Sequence, residues 1–327
     1  MSYLPDKPLS ESHYTKMYIE YVEETNLWVL QRGAGFVLLS LILIALAATV
    51  YLYLIGFLIF QKTVFYMFVP IIIILPLEGI GAQILITIEL LAIFTSIYLV
   101  ATNEKGGIIA ELSGKTKEIM SYSESFFIGY FLSIVIVFLI NVGNGGGFDF
   151  IDLYHISLDA PFCEELSFRF LWLLFPVAIY SSIIEGLHKE NFEKKGLFDI
   201  ILKGKGDLSK PDYYLLGFSS VFFGFVHWVI FGVNLRNMEI IFEYGWAPGK
   251  IIQASLIGLF MGYFALKYGL PFSLVFHWLV NTLGALGMLM ITTNNIAALA
   301  FYSILMLLVI GLGLIFLVVV IYRLIKS

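Results

Sequence analysis

Long, nearly uncharged apolar runs constrain this chain more than any other feature. A bilayer core of about 30 Å is crossed by about 20 apolar residues in a helix, so such runs can be counted as spans. Eight are present, at 34–60, 80–101, 124–142, 161–184, 213–232, 250–267, 271–292 and 296–322. Composition agrees: 60% of the 327 residues are apolar and 13% charged, and the mean hydropathy is +0.92, whereas soluble domains are about half apolar. The expected fold is therefore all-α, a polytopic transmembrane bundle of about eight spans over 34–327, preceded by an N-terminal arm over 1–33. That arm carries five acids and no early apolar core, which argues against a cleaved signal and for a retained first anchor. The apolar segment 63–77 is short and holds Pro70 and Pro76, so an interfacial or re-entrant piece is expected, with a ninth crossing as the alternative.

Loop charge gives an orientation. With the N-terminus inside, fifteen of the nineteen basic residues fall on the cytoplasmic side, including six lysines between 189 and 210. Only Lys62, Arg236 and Lys250 lie outside, and Arg169 sits within a span. The positive-inside rule then puts both termini in the cytoplasm and suits a plasma-membrane protein. The same count places Glu164 and His227 towards the outer ends of their spans. Gly186 to Asp212 is expected to be a solvated cytoplasmic loop, and Gly143 to Gly147 a flexible connection, not a phosphate cradle. Ala254, Gly258 and Gly262 recur every four residues, a pattern that lets helices approach closely. Cys163, the single cysteine, excludes an internal disulfide or a Cys-rich metal site. A net charge of −5 without a basic block beside aromatics excludes an electrostatic footprint for nucleic acid. Membrane lipid is the partner that composition implies.

Ionisable groups inside spans cost about 2.5–3.5 kcal/mol each on insertion scales and mark functional sites by default. Here they are Glu89, Glu164, Glu165, Arg169, His227 and His277, with Asn281 as the notable amide. Asp159 is a plausible N-cap for the fourth span, with Pro161 in its first turn. Glu165 and Arg169 are four apart with the acid first, the favourable order for a pair on one face. Glu164 points about 100° away, towards a neighbouring helix, where it could act as a base. Phe223 and His227 share one face of the fifth span, and His277 and Asn281 share one face of the seventh. Two imidazoles, a free carboxylate and an amide donor supply what amide hydrolysis needs. The bland alternative is a structural charge cluster in a non-enzymatic protein such as an immunity factor, a processing chaperone or a transporter. Glu89, without a motif around it, is expected to be a buried, protonated acid bonded to a neighbour. His13, His155 and His188 are expected to be solvated.

Glu164-Glu165-x-x-x-Arg169, Phe223-x-x-x-His227 and His277-x-x-x-Asn281, in that order on three spans, resemble the three motifs of the CAAX protease and bacteriocin-processing (CPBP, or Abi) intramembrane proteases, which include the type II CAAX prenyl endopeptidases. The resemblance covers about 161–292. It implies an eight-helix membrane fold and an endopeptidase acting on a peptide or membrane-associated protein, prenylated or not. Glu164 and His227 would activate a water, His277 and Asn281 would hold the oxyanion, and Glu165 and Arg169 would orient the site, with no cofactor. The alternative is a zinc site on Glu164, His227 and His277, although no His-Glu-x-x-His helix is present.

Overall fold

A computed structural model describes residues 11–55, 62–69, 71–103, 107–113, 121–140, 155–181, 196–245, 247–293 and 295–326, with side chains from residue 27 onward except at residue 55. A helix over Glu11–Ile55 (α1) leads into a hairpin of β1 (Lys62–Phe68) and β2 (Ile72–Glu78). Then follow α2 (Ile80–Thr102), the short α3 (Ile108–Leu112) and α4 (Tyr122–Leu139). The motif-bearing helix runs as α5 (Asp159–Glu164), a π-helical stretch over Glu165–Leu174, and α6 (Phe175–Tyr180). After α7 (Leu197–Lys203) and α8 (Lys210–Trp228), a second hairpin pairs β3 (Val229–Asn234) with β4 (Glu239–Tyr244). The chain ends in α9 (Gly249–Tyr268), α10 (Leu270–Thr292) and α11 (Ile296–Lys326).

Among the described residues, six helical segments are long and apolar enough to cross a bilayer: Leu27–Leu54, Ile80–Thr102, Tyr122–Leu139, Gly249–Tyr268, Leu270–Thr292 and Ile296–Lys326. Their outward faces carry apolar side chains, such as Ile84, Leu91 and Tyr98 on α2 and Leu307, Leu314 and Ile321 on α11. Such faces call for lipid as solvent, and the protein is a multi-pass membrane protein. The other two expected spans do not join these six, for physical reasons. The segment expected over 161–184 carries buried Glu165 and Arg169 and changes helical geometry. Pro176 offers no N–H and crowds the turn before it, so the ladder loosens, and the N–H of Phe175 donates five residues back to Phe170. The segment expected over 213–232 is less apolar, with Ser219 and Ser220 buried, and its helix stops at Trp228, where the chain extends into β3.

The all-α expectation is corrected by a four-stranded sheet in the order β1-β2-β3-β4. The segment expected to be re-entrant, or a ninth crossing, is instead the β1–β2 hairpin: Thr63, Val64 and Ile72 to Ile74 are β-branched, and each strand finds its hydrogen bonds in a partner. Parallel pairing of Ile72, Ile73 and Ile74 with Gly232, Val233 and Asn234 joins the two hairpins, although 158 residues separate Glu78 from Arg236, which hydrogen-bond at 3.0 Å. That bond, with Lys62 at 3.8 Å, holds the exposed Glu78 carboxyl below its ordinary pKa. Gly232 is required at this junction, since a Cβ there would lie 2.4 Å from the Ile72 carbonyl.

Small residues bring α8 and α9 together, as the four-residue spacing predicts. A Cβ on Gly258 would meet Phe223 at 3.0 Å, one on Gly262 would meet Leu216 at 2.5 Å, and one on Gly224 would lie 2.3 Å from the Ile251 carbonyl. Wholly buried Trp278 donates to Thr49 at 3.0 Å, tying α10 to α1. The expected solvated loop before α8 is partly structured: α7 buries Ile200 and Ile201, and nearly buried Lys205 pairs with Asp212 at 2.8 Å. Gly143 to Gly147, His188 and the side chain of His13 lie outside the described residues.

At the opposite end of the bundle from the hairpins, Glu124 caps α4 with Ser121 and takes Gln31 at 3.2 Å and Arg323 at 3.3 Å, joining α1, α4 and α11. Beside it Glu111 accepts from the Ser123 N–H at 2.9 Å and from the Ser123 hydroxyl. Burial outweighs those bonds and pushes the Glu111 carboxyl up to about 7 from 4.5. Between these values the folded protein holds a proton that the unfolded chain has lost, so stability falls as pH rises from 4.5 to about 7. Thermal melts in detergent will show the melting temperature falling over that window, and Glu111→Gln will flatten the dependence. Gly224→Ala will force α8 from the α9 backbone and lower stability by about 1–3 kcal/mol, measurable by the same melts.

Candidate active site

The π-helical segment separates the two acids. Glu165 and Arg169 are each 1% exposed, on the packed side of their helix. Glu165 accepts from Ser273 Oγ at 2.5 Å through Oε2, while its Oε1 lies 3.0 Å from His277 Nδ1 and 3.5 Å from Arg169 Nε. The Arg169 guanidinium makes no hydrogen bond among the described residues; it is matched in charge by Glu165 and stacks 4.3 Å over the Phe223 ring. Phe223 in turn packs edge-on against His227, with ring centroids 4.4 Å apart.

Glu164 faces the other way, into a cavity of about 720 Å³ that is lined also by Phe223, His227, His277 and Asn281. Its Oε1 lies 3.7 Å from His227 Nε2 and its Oε2 lies 3.6 Å from His277 Nε2. In both imidazoles Nδ1 is fixed as a donor. His227 Nδ1 lies 2.8 Å from the Phe223 carbonyl, which can only accept, so Nδ1 carries a proton and Nε2 of the neutral ring presents a lone pair to the cavity. His277 Nδ1 donates to Glu165, so its Nε2 donates as well only when both ring nitrogens are protonated. Asn281 donates one N–H to the Ile156 carbonyl at 3.0 Å.

All the residues selected from the three motifs thus meet around one point. The same lining includes residues that the motifs do not reveal. Tyr66 of β1 donates to Glu164 Oε1 at 3.3 Å; a phenol ionises near pH 10, so it stays a neutral donor at pH 7. Lys250 and Gln253 line the cavity from the start of α9, bonded to each other at 2.7 Å. Ser273, which bonds Glu165, is one turn before His277 on α10 and could have been found by that spacing. Tyr66 could not, since nothing in its segment announces a strand directed at a helix 98 residues away.

A second polar group lies beside the cavity. Asp159 is not a cap; it is the first residue of α5, and its carboxylate accepts from Thr63 at 2.7 Å and bonds His155. His155, expected to be solvated, keeps 34% of its side-chain exposure while it bonds Asp159. Glu89 is wholly buried against Asp159, the neighbour to which its carboxyl can hydrogen-bond when it carries a proton.

For the alternative zinc set, ligand atoms at about 2.0–2.2 Å from a common point are needed. Among the described residues no group of three or more His, Cys, Asp or Glu is arranged to hold a metal ion, Glu164, His227 and His277 included.

Fold and site together define a multi-pass membrane protein with a carboxylate, two imidazoles and an amide converging on a largely apolar cavity. Residues 146–283 match the family model of the type II CAAX prenyl endopeptidase Rce1-like proteins. The matched span contains every motif residue from Glu164 to Asn281. No curated protein and no solved structure matches the chain.

Removing Arg169 leaves the Glu165 charge buried without its cation, a change that costs about 3–5 kcal/mol at comparable sites. Arg169→Met will therefore unfold at lower temperature than wild type in detergent, whereas Tyr66→Phe, which deletes one bond at the cavity wall, will stay within about 1 kcal/mol of wild type in the same assay.

Proposed function

We propose that the chain is a glutamate-dependent intramembrane endopeptidase that hydrolyses a peptide bond in a membrane-associated peptide or protein. The observation that carries this reading is the pairing of Glu164 with His227 at the cavity wall. Two acceptors 3.7 Å apart cannot bond each other when neither carries a proton. A water about 2.8 Å from each would donate one of its hydrogens to Glu164 and the other to His227, leaving a lone pair for a carbonyl carbon in the cavity. On attack, the water proton passes to Glu164 and the carbonyl oxygen becomes an oxyanion. His277, protonated on both nitrogens, and the second N–H of Asn281 stabilise that charge. Glu164 then gives its proton to the leaving amine as the C–N bond breaks. Tyr66 and His227 keep the carboxylate and water in register, and Glu165 with Arg169 orients His277. A plasma-membrane location with both termini in the cytoplasm completes the proposal, on the distribution of loop charge.

The test is cleavage of a panel of quenched peptides, prenylated and unprenylated, by protein purified in detergent. Glu164→Gln will lower cleavage at least about 10³-fold, since general-base and electrostatic contributions are lost together, while the melting temperature stays near that of wild type. Activity will resist chelators. Cleavage that survives in Glu164→Gln would sink the mechanism, and cleavage abolished by a chelator and restored by zinc would replace it with the metal alternative.

A further inference from the structure

Lys250 is the one lysine or arginine lining the cavity among the described residues. Its ammonium places a positive charge at the wall of a largely apolar cavity. Its position is built. Gln253, 4% exposed, is oriented by donating from Nε2 to the Ile140 carbonyl at 3.1 Å, so its amide oxygen is presented to Lys250 Nζ at 2.7 Å. Lys250 is also close enough to Glu164 for their charges to interact across the cavity. A peptide held there by apolar contacts alone would need no cation. A peptide bearing a carboxylate would be repelled by Glu164 unless a positive group took up the anion.

We infer that Lys250, held by Gln253, is a specificity-determining residue that binds a carboxylate of the peptide substrate and so sets the scissile bond at a fixed distance from an anion. The inference rests on the peptidase reading above and deepens it. Peptides carry that chemistry in two places, the C-terminal carboxylate and an acidic side chain. The rival role is a counter-ion that acts through Glu164, which would affect every substrate by the same factor.

The experiment compares kcat/KM for two pairs of otherwise identical quenched peptides: one pair ending in a free carboxylate or an amide, the other carrying internal Glu or Gln near the scissile bond. Wild type will prefer the acid form of one pair by roughly 10- to 100-fold, the scale of a charge-assisted bond. The pair that shows it identifies the source of the anion. In Lys250→Met the ratio will fall towards one, and Lys250→Arg will retain part of it. Equal cleavage of acid and neutral forms by a wild-type enzyme that still depends on Glu164 would overturn the anion site and leave the peptidase standing. A Lys250→Met variant that slows both forms equally, with the ratio kept, would assign Lys250 to Glu164 instead. If wild type cleaves none of the peptides, the peptidase reading falls and the anion site with it.

Discussion

The structure turns on a single buried carboxylate. Glu165 takes Ser273 and His277 from α10 and Arg169 from its own helix, and no solvent reaches it. Three elements are positioned by these contacts. α10 is locked to the motif helix at its first two turns, His277 is held with Nδ1 as a donor, and Arg169 is laid across Phe223 so that α8 joins the cluster. Because Glu165 absorbs the cation, its neighbour Glu164 is left without a close ion pair to Arg169 and faces the cavity with a phenol and two imidazole nitrogens near it and Lys250 across from it. Adjacent residues of one type thereby acquire opposite tasks.

The second constraint is that backbone groups near a bilayer must be satisfied. The two hairpins meet it by pairing with each other through β2 and β3. In doing so they bring Tyr66, Ile72 and Ile230 to the cavity wall and tie the α1–α2 connection to the α8–α9 connection. A sheet that would be an aggregation hazard if left open here closes one end of the site, and its pairing fixes where β1 can meet Glu164.

How much of this could be read from residue order differs by element. The helical bundle was legible because apolar runs of span length admit few alternatives, and the site was legible because each motif pair sits four residues apart on a helix. The number of spans was less so, since the two segments that carry the polar site are the least apolar and the least regular. The strands escaped altogether: short apolar runs of β-branched residues have no period that distinguishes a hairpin from an interfacial helix. Asp159 and His155 were misjudged because a cap and a buried acceptor look alike in sequence; only the neighbouring Thr63, 96 residues away, decides between them.

Order and spacing alone determined that the chain lives in lipid, that its polar residues cluster on three helices, and that Glu164 and Glu165 point apart. Tertiary structure alone decided which nitrogen of each histidine faces the carboxylate, that Tyr66 and Lys250 share the cavity, and that the motif helix widens at Glu165. The reason is physical. Periodicity is a property of one helix and survives in its sequence, whereas a tautomer, a cross-strand register or a cavity wall is set by a partner from another part of the chain, and no local pattern encodes the meeting.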